Sequence, residues 1–122
     1  MTNDIEKGDV MRYLITEEDR KRTGSSEFIE FQRGKYDGQC WHIDSVYIAE
    51  EMFYEMKLRR FFSSVLPQFD YYGLTQVNAD EFDELKKAAP GFSNEAAECM
   101  QELADWIGEA GSEDVVFTIC GM

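Results

Sequence analysis

The segment "SNEAAECMQELADWIGEAG" (93–111) carries the most regular pattern in the sequence and limits the fold most strongly. Its apolar side chains recur at the spacing of one helix face, at Ala96, Met100, Leu103, Ala104 and Ile107. A glycine at position 108 or 111 can end this helix. The run "DVVFTICG" (114–121) follows and is typical of a central or well-covered strand. The chain is therefore predicted to end in an amphipathic helix and a buried strand.

Strand-like patterns dominate the first part of the chain. Aromatic and β-branched residues predict strands at "VMRYLIT" (10–16), "EFIEF" (27–31) and "QCWHIDSVYI" (39–48). The first two are joined by the charged connection "EEDRKRTGSS" (17–26). Two glycines and an Asp-Gly pair in "RGKYDG" (33–38) predict a turn, so the second and third strands should form a hairpin.

A helical pattern follows from about residue 49 to 66, and Pro67 marks its end. The helix carries two apolar stripes on nearly opposite sides, Ala49, Met52, Phe53, Met56 and Tyr54, Leu58, Phe61, Val65. A helix that is apolar on two sides is usually sandwiched between other elements. Its outer side is our second choice of interface, for a partner or for a homodimer.

The segment between this helix and the terminal helix predicts one more strand and one more helix. The strand is "FDYYGLTQV" (69–77). Asn78 and Glu81 form a capping box that starts a helix over about 79–89, and "PG" at 90–91 stops it. Its inner face is Phe82, Leu85 and Ala89.

The resulting order β-β-β-α-β-α-α-β predicts an α+β fold, with a mostly antiparallel sheet and about three helices packed on it. The length of 122 residues is ordinary for one domain, and 43% of hydrophobic residues, including nine Phe, is ample for a core. We expect a single domain over 1–122, with residues 1–9 flexible.

The charge of the chain is strongly negative and unevenly placed. The formal net charge is −13, and the first 60 residues contribute −3 against −10 from residues 61–122. Neither Lys nor Arg follows Lys87. Such a field repels nucleic acid and anionic membranes, and it attracts basic partners. Acidity that serves solubility alone is the competing interpretation.

The segment "QCWHID" (39–44) gathers a cysteine, the only histidine and a carboxylate. In a strand, Cys40, His42 and Asp44 share one face, while Trp41 and Ile43 form the buried face. At about 3.3 Å per residue, Cys40 and Asp44 lie about 13 Å apart, too far to bind one metal ion. Asp44 also opposes the lowered pKa that a catalytic cysteine needs. We interpret the segment as a structural strand in which His42 is a partly exposed residue; contact with a partner is the alternative role for His42.

Motifs for chemistry are otherwise absent from the sequence: it contains no Gly-rich phosphate loop, HExxH, paired CxxC or nucleophile elbow. We predict no enzymatic activity, no catalytic residue, no cofactor and no bound metal. Three cysteines without a pairing pattern argue against a disulfide framework. The N-terminus lacks a signal-peptide pattern, and no apolar run approaches the roughly 20 residues of a membrane span. A soluble, cytoplasmic protein is expected.

One face of the terminal helix is a stripe of acids. Glu95, Glu98, Glu102, Asp105 and Glu109 fall within an arc of roughly 80° opposite the apolar face. Because no base lies among them, their repulsion costs a few tenths of a kcal/mol per pair, and such a stripe indicates a binding surface. An exposed Trp106 at its edge would be an anchor. The alternative is that Trp106 packs on a strand and the acids only solubilise. The predicted partner-binding residues are Glu98, Glu102, Asp105, Trp106 and Glu109.

The segments "EEMFYEM", "LPQFDYYGLTQV" and "FDEL", followed by the amphipathic helix, give this acidic chain a resemblance to bacterial toxin-immunity proteins. These are the immunity partners of contact-dependent growth inhibition and related polymorphic toxins. The resemblance covers roughly residues 46–108 and lies in pattern and composition. It implies a function without chemistry, namely tight binding of one cognate toxin domain. Many such toxins are basic nucleases, which agrees with the acidic second half.

The expected function is therefore a non-enzymatic immunity protein that binds a cognate toxin domain in a 1:1 complex. An acidic adaptor or regulatory module for another basic protein is the first alternative. A small ligand-binding domain or enzyme that uses His42 with a carboxylate is the second. The position of the gene directly after a large secreted-toxin gene would favour the immunity interpretation over the adaptor.

Overall fold

The computed structural model describes residues 11–108 and 114–122, so the predicted flexibility of residues 1–9 lies outside the described residues. Its centre is a five-stranded sheet made of Ile15–Thr16 (β1), Phe28–Arg33 (β2), Val46–Ala49 (β3), Leu74–Asn78 (β4) and Val115–Cys120 (β5). The strands lie in the order β1-β3-β2-β5-β4, and every neighbouring pair is antiparallel. The predicted α+β class, the β2–β3 pairing and the central position of β5 are confirmed.

Five helices occur in the described part of the chain: Glu17–Thr23 (α1), Glu50–Glu55 (α2), Leu58–Val65 (α3), Ala79–Phe92 (α4) and Asn94–Ile107 (α5). About four of them are substantial, whereas the sequence predicted about three. The order of elements is therefore β-α-β-β-α-α-β-α-α-β. No helix among the described residues is both long enough and apolar enough to cross a lipid bilayer.

The two faces of the sheet have different chemistry. One face packs with α2–α5 into an apolar core whose aromatic centre is fully buried, with Phe31 between Phe62 and Phe117 at ring-centroid distances of 6.3 and 6.0 Å. On β2, Glu30 alternates with these core residues. Glu30 is paired with Tyr47 on one neighbouring strand and with Cys120 on the other. Cys120 and Tyr47 are buried together with Glu30, so this second face holds a polar layer.

The predicted strand over 10–16 is wrong for most of its described length, because only Ile15–Thr16 pairs with β3. The charged connection after it forms α1. Thr16 caps this helix by accepting a hydrogen bond from the N–H of Asp19, and Gly24 ends it in the left-handed conformation at φ 72°. Acids in its first turn and bases in its last turn complement the helix dipole.

The single helix predicted over 49–66 is in fact two helices, separated at Lys57, whose φ is 56°. The break explains the two apolar stripes. A change of axis between α2 and α3 lets Phe53 and Phe61, from opposite stripes, enter one core, where both are fully buried. Tyr54 was predicted to be apolar surface of the second stripe and is 78% exposed.

The boundaries of two other elements differ from the prediction. β4 begins only at Leu74, because residues 70–73 form a turn in which the N–H of Gly73 bonds to the carbonyl of Asp70 at 3.1 Å. α4 continues through Pro90 to Phe92, whose ring packs 5.3 Å from that of Phe61. This contact lets the helix continue past a residue that lacks an N–H donor. The capping box of Asn78 and Glu81 is confirmed.

Candidate functional site

The acidic stripe lies on α5, which Ser93 caps by accepting a hydrogen bond from the N–H of Ala96 at 3.0 Å. The apolar face of α5 is buried as predicted at Ala96, Met100 and Leu103. On the opposite side Glu95, Glu98 and Asp105 are exposed, while Glu102 is half-buried. Glu109 lies outside the described residues. The described residues that were predicted to bind a partner therefore differ from one another in exposure.

Glu102 is bound to the segment that precedes β1. Its carboxylate accepts hydrogen bonds from the backbone N–H groups of Arg12 at 2.7 Å, Tyr13 at 3.1 Å and Leu14 at 3.1 Å. Three consecutive donors on one carboxylate form a charge-assisted anchor. Glu102 therefore attaches the first described residues to α5, a role that its position in the acidic stripe did not indicate.

Glu98 also contacts this segment. Its Oε1 accepts a hydrogen bond from the hydroxyl of Tyr13 at 2.7 Å and forms an ion pair with the guanidinium of Arg12 at 3.1 Å. The hydrogen bond to the negatively charged Glu98 is the largest cause that raises the pKa of Tyr13. Half of the Glu98 side chain stays exposed, at 52%, and its Oε2 accepts no hydrogen bond from the described residues.

Trp106 is half-buried and packs against the core. Its indole Nε1–H donates to the backbone carbonyl of Asp44 at 3.1 Å, and the guanidinium of Arg33 lies 4.7 Å from the ring centroid. The ring is thus used within the molecule, as the alternative interpretation supposed. A contribution of its exposed edge to partner binding stays a prediction.

Exposed acids also lie on α4, which packs directly against α5. Asp80, Asp83 and Glu84 are exposed on α4, and Asp83 forms an ion pair with Lys86 at 3.4 Å. Within the described ranges, Asp80, Glu84 and Glu95 enter no ion pair. We define the acidic surface as the exposed acids of these two helices, Asp80, Asp83, Glu84, Glu95, Glu98 and Asp105.

The segment "QCWHID" is a loop, and its prediction as a strand with a buried Trp41 and Ile43 is wrong. Strand β3 begins only at Val46. Trp41 has a φ of 65° and is 41% exposed, and Ile43 is 89% exposed. His42 directs Nε2 to the carboxylate of Asp37 and to the carbonyl of Gln39, both at 3.1 Å. Two acceptors on one ring nitrogen require a proton there.

Glu30 is the reason for this loop conformation. Its carboxylate is 1% exposed, and it binds the backbone N–H groups of Trp41 at 2.9 Å and His42 at 3.0 Å. Side-chain donors complete the set: Ser45 at 2.7 Å, Gln32 at 3.2 Å and Tyr47 at 3.4 Å. A buried carboxylate needs such donors. Because the N–H groups of residues 41 and 42 bind Glu30, they are not available for hydrogen bonds to a neighbouring strand.

A second polar cluster covers the same face of the sheet at α1. The buried carboxylate of Glu17 receives two hydrogen bonds from the Arg20 guanidinium, at 2.9 and 2.7 Å, which lower the pKa of Glu17. The guanidinium also lies 4.2 Å from the centroid of Trp41, whose ring stacks on Tyr47 at 5.5 Å. Burial is the largest of the causes that raise the pKa of the Tyr47 hydroxyl. The loop is thus held to the sheet from both sides.

Two cysteines meet at this loop. Cys40, on the exposed loop, and Cys120, buried on β5, bring their Sγ atoms within 4.8 Å of each other and of a carboxylate oxygen of Glu30. Beside them is a small cavity of about 130 Å³, lined also by Phe28 and Met122. Sequence reasoning missed this cluster, because Cys40 and Cys120 are far apart in the chain and meet only through the sheet order.

The helix pair α2–α3, our second choice of interface, carries a basic cleft of about 550 Å³. Its lining is Tyr54, Glu55, Lys57, Arg59, Arg60 and Ser63. Arg59 lies 4.4 Å from the ring centroid of Tyr71 and 5.4 Å from that of Tyr72, so it stacks on aromatic rings. The described residues therefore present a basic cleft as well as the acidic surface.

Comparisons with models of protein families, with curated proteins and with solved structures find no match.

Proposed function

We propose that the protein is a non-enzymatic, cytoplasmic immunity protein, which binds and neutralises a basic toxin domain of the nuclease class in a 1:1 complex. The observation that carries the proposal is the acidic surface on α4 and α5. Asp80, Glu84 and Glu95 hold exposed carboxylates there that no described base neutralises.

The energetics of these acids favour a role outside the folded chain. Like charges on one helix face repel one another and weaken the helix by a few tenths of a kcal/mol per pair. Fold stability alone would therefore be better served by mixed charges. Nucleases bind a polyanion through Lys and Arg side chains, and a rigid row of carboxylates offers those side chains a substitute for phosphates.

The acids of the surface differ in how freely they can meet a partner. Glu102 is engaged by three backbone donors, whereas Glu95 and Asp105 are exposed. Among the described residues, Asp105 accepts a single hydrogen bond, from the amide of Gln101 at 3.0 Å. We therefore assign the main electrostatic contacts to Glu95, Asp105 and the exposed acids of α4, with Glu98 contributing through its free oxygen.

The test begins with co-purification of the tagged protein from its native cells, which should yield a stoichiometric basic partner. Its affinity should then be measured for the double variant Glu95→Lys/Asp105→Lys. Charge reversal at two contact sites should weaken binding more than tenfold, and added salt should slow association of the parent protein.

The matched control is Glu18→Lys/Glu27→Lys, which changes the net charge equally at exposed positions outside α4 and α5 and outside the helix pair α2–α3. Glu18, like Glu95, lies in the first turn of its helix, so these two substitutions lose similar dipole stabilisation. Equal affinity loss in both variants would show that net charge alone matters and would remove the acidic surface from the proposal.

The identity of the partner separates the immunity protein from an acidic adaptor. A partner with toxic nuclease activity, encoded next to this gene and silenced by the complex, supports the immunity function. A basic partner that keeps its activity in the complex supports the adaptor. Size-exclusion chromatography of the free protein tests whether the face at α2–α3 forms a homodimer.

A further inference from the structure

The buried carboxylate of Glu30 has no cationic partner in the described part of the chain. All five of its hydrogen-bond donors, two backbone N–H groups, an amide and two hydroxyls, are neutral. A buried charge is costly unless a counter-charge or a dense set of donors compensates it. Four of the donors bind Oε2, and only the N–H of Trp41 binds Oε1, which keeps a lone pair available.

Two thiols lie beside this carboxylate. The ligand atoms of Glu30, Cys40 and Cys120 are all within 4.8 Å of one another. Around a tetrahedral Zn²⁺ with bonds of about 2.3 Å to sulfur, two sulfur atoms are about 3.8 Å apart. A movement of about 1 Å brings the three donors into that geometry, and Cys40 can make it because its loop position is exposed.

We propose that Glu30, Cys40 and Cys120 form a binding site for a thiophilic divalent cation, Zn²⁺. Two sulfur donors and one carboxylate suit zinc and disfavour Mg²⁺ and Ca²⁺, which prefer oxygen alone. The ion supplies the counter-charge that Glu30 lacks. On binding, each thiol loses its proton to solvent, so that two thiolates and one carboxylate surround the cation.

The surroundings of the three ligands fit a metal site. Glu30 and Cys120 are directly paired on neighbouring strands, which fixes two ligands on rigid elements. The hydrogen bonds of Ser45 and of the His42 N–H orient the Glu30 carboxylate, as the neighbours of metal ligands commonly do. The cavity of about 130 Å³ beside the cysteines leaves room for a water molecule as the fourth ligand.

The chemistry of the thiol ligands predicts how the affinity depends on pH. Cys40 and Cys120 would bind the cation as thiolates, so each thiol must first lose its proton. Protons therefore compete with the cation at neutral pH, and the affinity for Zn²⁺ should increase as the pH rises. A carboxylate-only surface site would show little change over the same neutral-to-alkaline range.

The experiment uses the full-length protein, reduced, treated with a chelator and desalted. Zn²⁺ is titrated in competition with a chromophoric chelator, and Cd²⁺ serves as a probe through the ultraviolet charge-transfer band of its bonds to thiolate. We expect one ion per chain, the thiolate band, and an increased melting temperature with Zn²⁺.

Cys40→Ser should lower the Zn²⁺ affinity at least tenfold and should reduce the Cd²⁺–thiolate band by about half or more, because only the Cys120 sulfur remains. This variant should fold, because the Cys40 side chain is exposed. The control Cys99→Ala removes a thiol that is buried in the core on the other face of the sheet, and it should bind as the parent does. Circular dichroism of the two variants verifies their folds.

If the reduced parent protein does not bind Zn²⁺, the proposed site is wrong. This holds also if the two cysteines are found to form a disulfide on oxidation without binding the ion when reduced. Binding that persists unchanged in Cys40→Ser would assign the ion to surface acids and would also overturn the site. Neither result bears on the proposed immunity function, which rests on α4 and α5.

Discussion

The carboxylate of Glu102 on α5 accepts a hydrogen bond from the backbone N–H of Leu14, 88 residues earlier in the chain, at 3.1 Å. The N–H groups of Arg12 and Tyr13 bind the same carboxylate. This contact attaches the strand β1 and the residues before it to the last helix. Glu102, which the sequence placed in the predicted binding stripe, therefore has a structural role.

Glu102→Ala should lower the free energy of unfolding by about 1–3 kcal/mol, because it leaves partly buried N–H groups without their acceptor. Glu102→Gln keeps one carbonyl oxygen and should lose less. Urea denaturation monitored by circular dichroism gives these values. Asp105→Ala is the control on the same helix and should change stability by no more than about 0.5 kcal/mol. Equal effects at the two positions would contradict the structural role of Glu102.

The elements that depend on local periodicity could be predicted from the sequence. α5 carries five apolar residues at helical spacing, α4 begins at a capping box, and β5 is a continuous apolar run. All three elements are present, although α4 continues through Pro90 to Phe92 instead of ending before Pro90. In each case the local preference and the tertiary packing agree.

The elements that the sequence did not predict depend on partners far away in the chain. The loop at residues 39–45 has strand-forming residues, but the buried Glu30 binds its N–H groups and so prevents pairing. The signal available was the alternation in "EFIEF", which places Glu30 opposite the core residues Ile29 and Phe31. Cys120 gives no local signal, because only the register of β2 and β5 brings it beside Glu30.

Acid should remove a stabilising contribution from Glu17. The Arg20 guanidinium lowers the pKa of Glu17 in the folded state below its value in the unfolded chain. The contribution is therefore fully present above the ordinary carboxyl pKa of about 4.3 and is lost as the pH falls through the lower, folded-state pKa.

Glu17→Gln should accordingly be less stable than the parent at neutral pH, and its stability should fall less between neutral pH and pH about 3. Urea denaturation at both pH values measures the difference. Glu18→Gln, at an exposed neighbouring position, is the control and should follow the parent. An identical acid dependence of Glu17→Gln and the parent would contradict the assignment.

The three thiols should differ sharply in reactivity. Cys40 is exposed, whereas burial raises the pKa of Cys99 to about 12, and burial with the charge of Glu30 raises that of Cys120. Because the thiolate is the reactive form, an alkylating reagent at neutral pH should modify one thiol per metal-free chain rapidly and the other two only after denaturation. Cys40→Ser should lose the rapid phase. Two rapid thiols in the parent would refute the burial of Cys120.

Two glycines should respond to alanine in opposite directions. A Cβ at position 121 would overlap the backbone carbonyl of Tyr71, whose carbon it would approach to 2.6 Å. The hydrogen bonds from the N–H of Gly121 to Gly73 at 2.8 Å and from that of Met122 to Tyr71 at 2.7 Å fix the two segments at this separation. Gly91, inside α4, has no atom within 4 Å of such a Cβ.

Gly121→Ala should therefore destabilise the protein by about 1–3 kcal/mol, because neither backbone segment can move without breaking these hydrogen bonds. Gly91→Ala should stabilise it by about 0.5–1 kcal/mol, because alanine loses less conformational entropy in a helix than glycine does. The midpoints of urea denaturation compare both variants with the parent. A tolerated Gly121→Ala would mean that the turn at Tyr71 lies farther from the C-terminus of β5 than the structure places it.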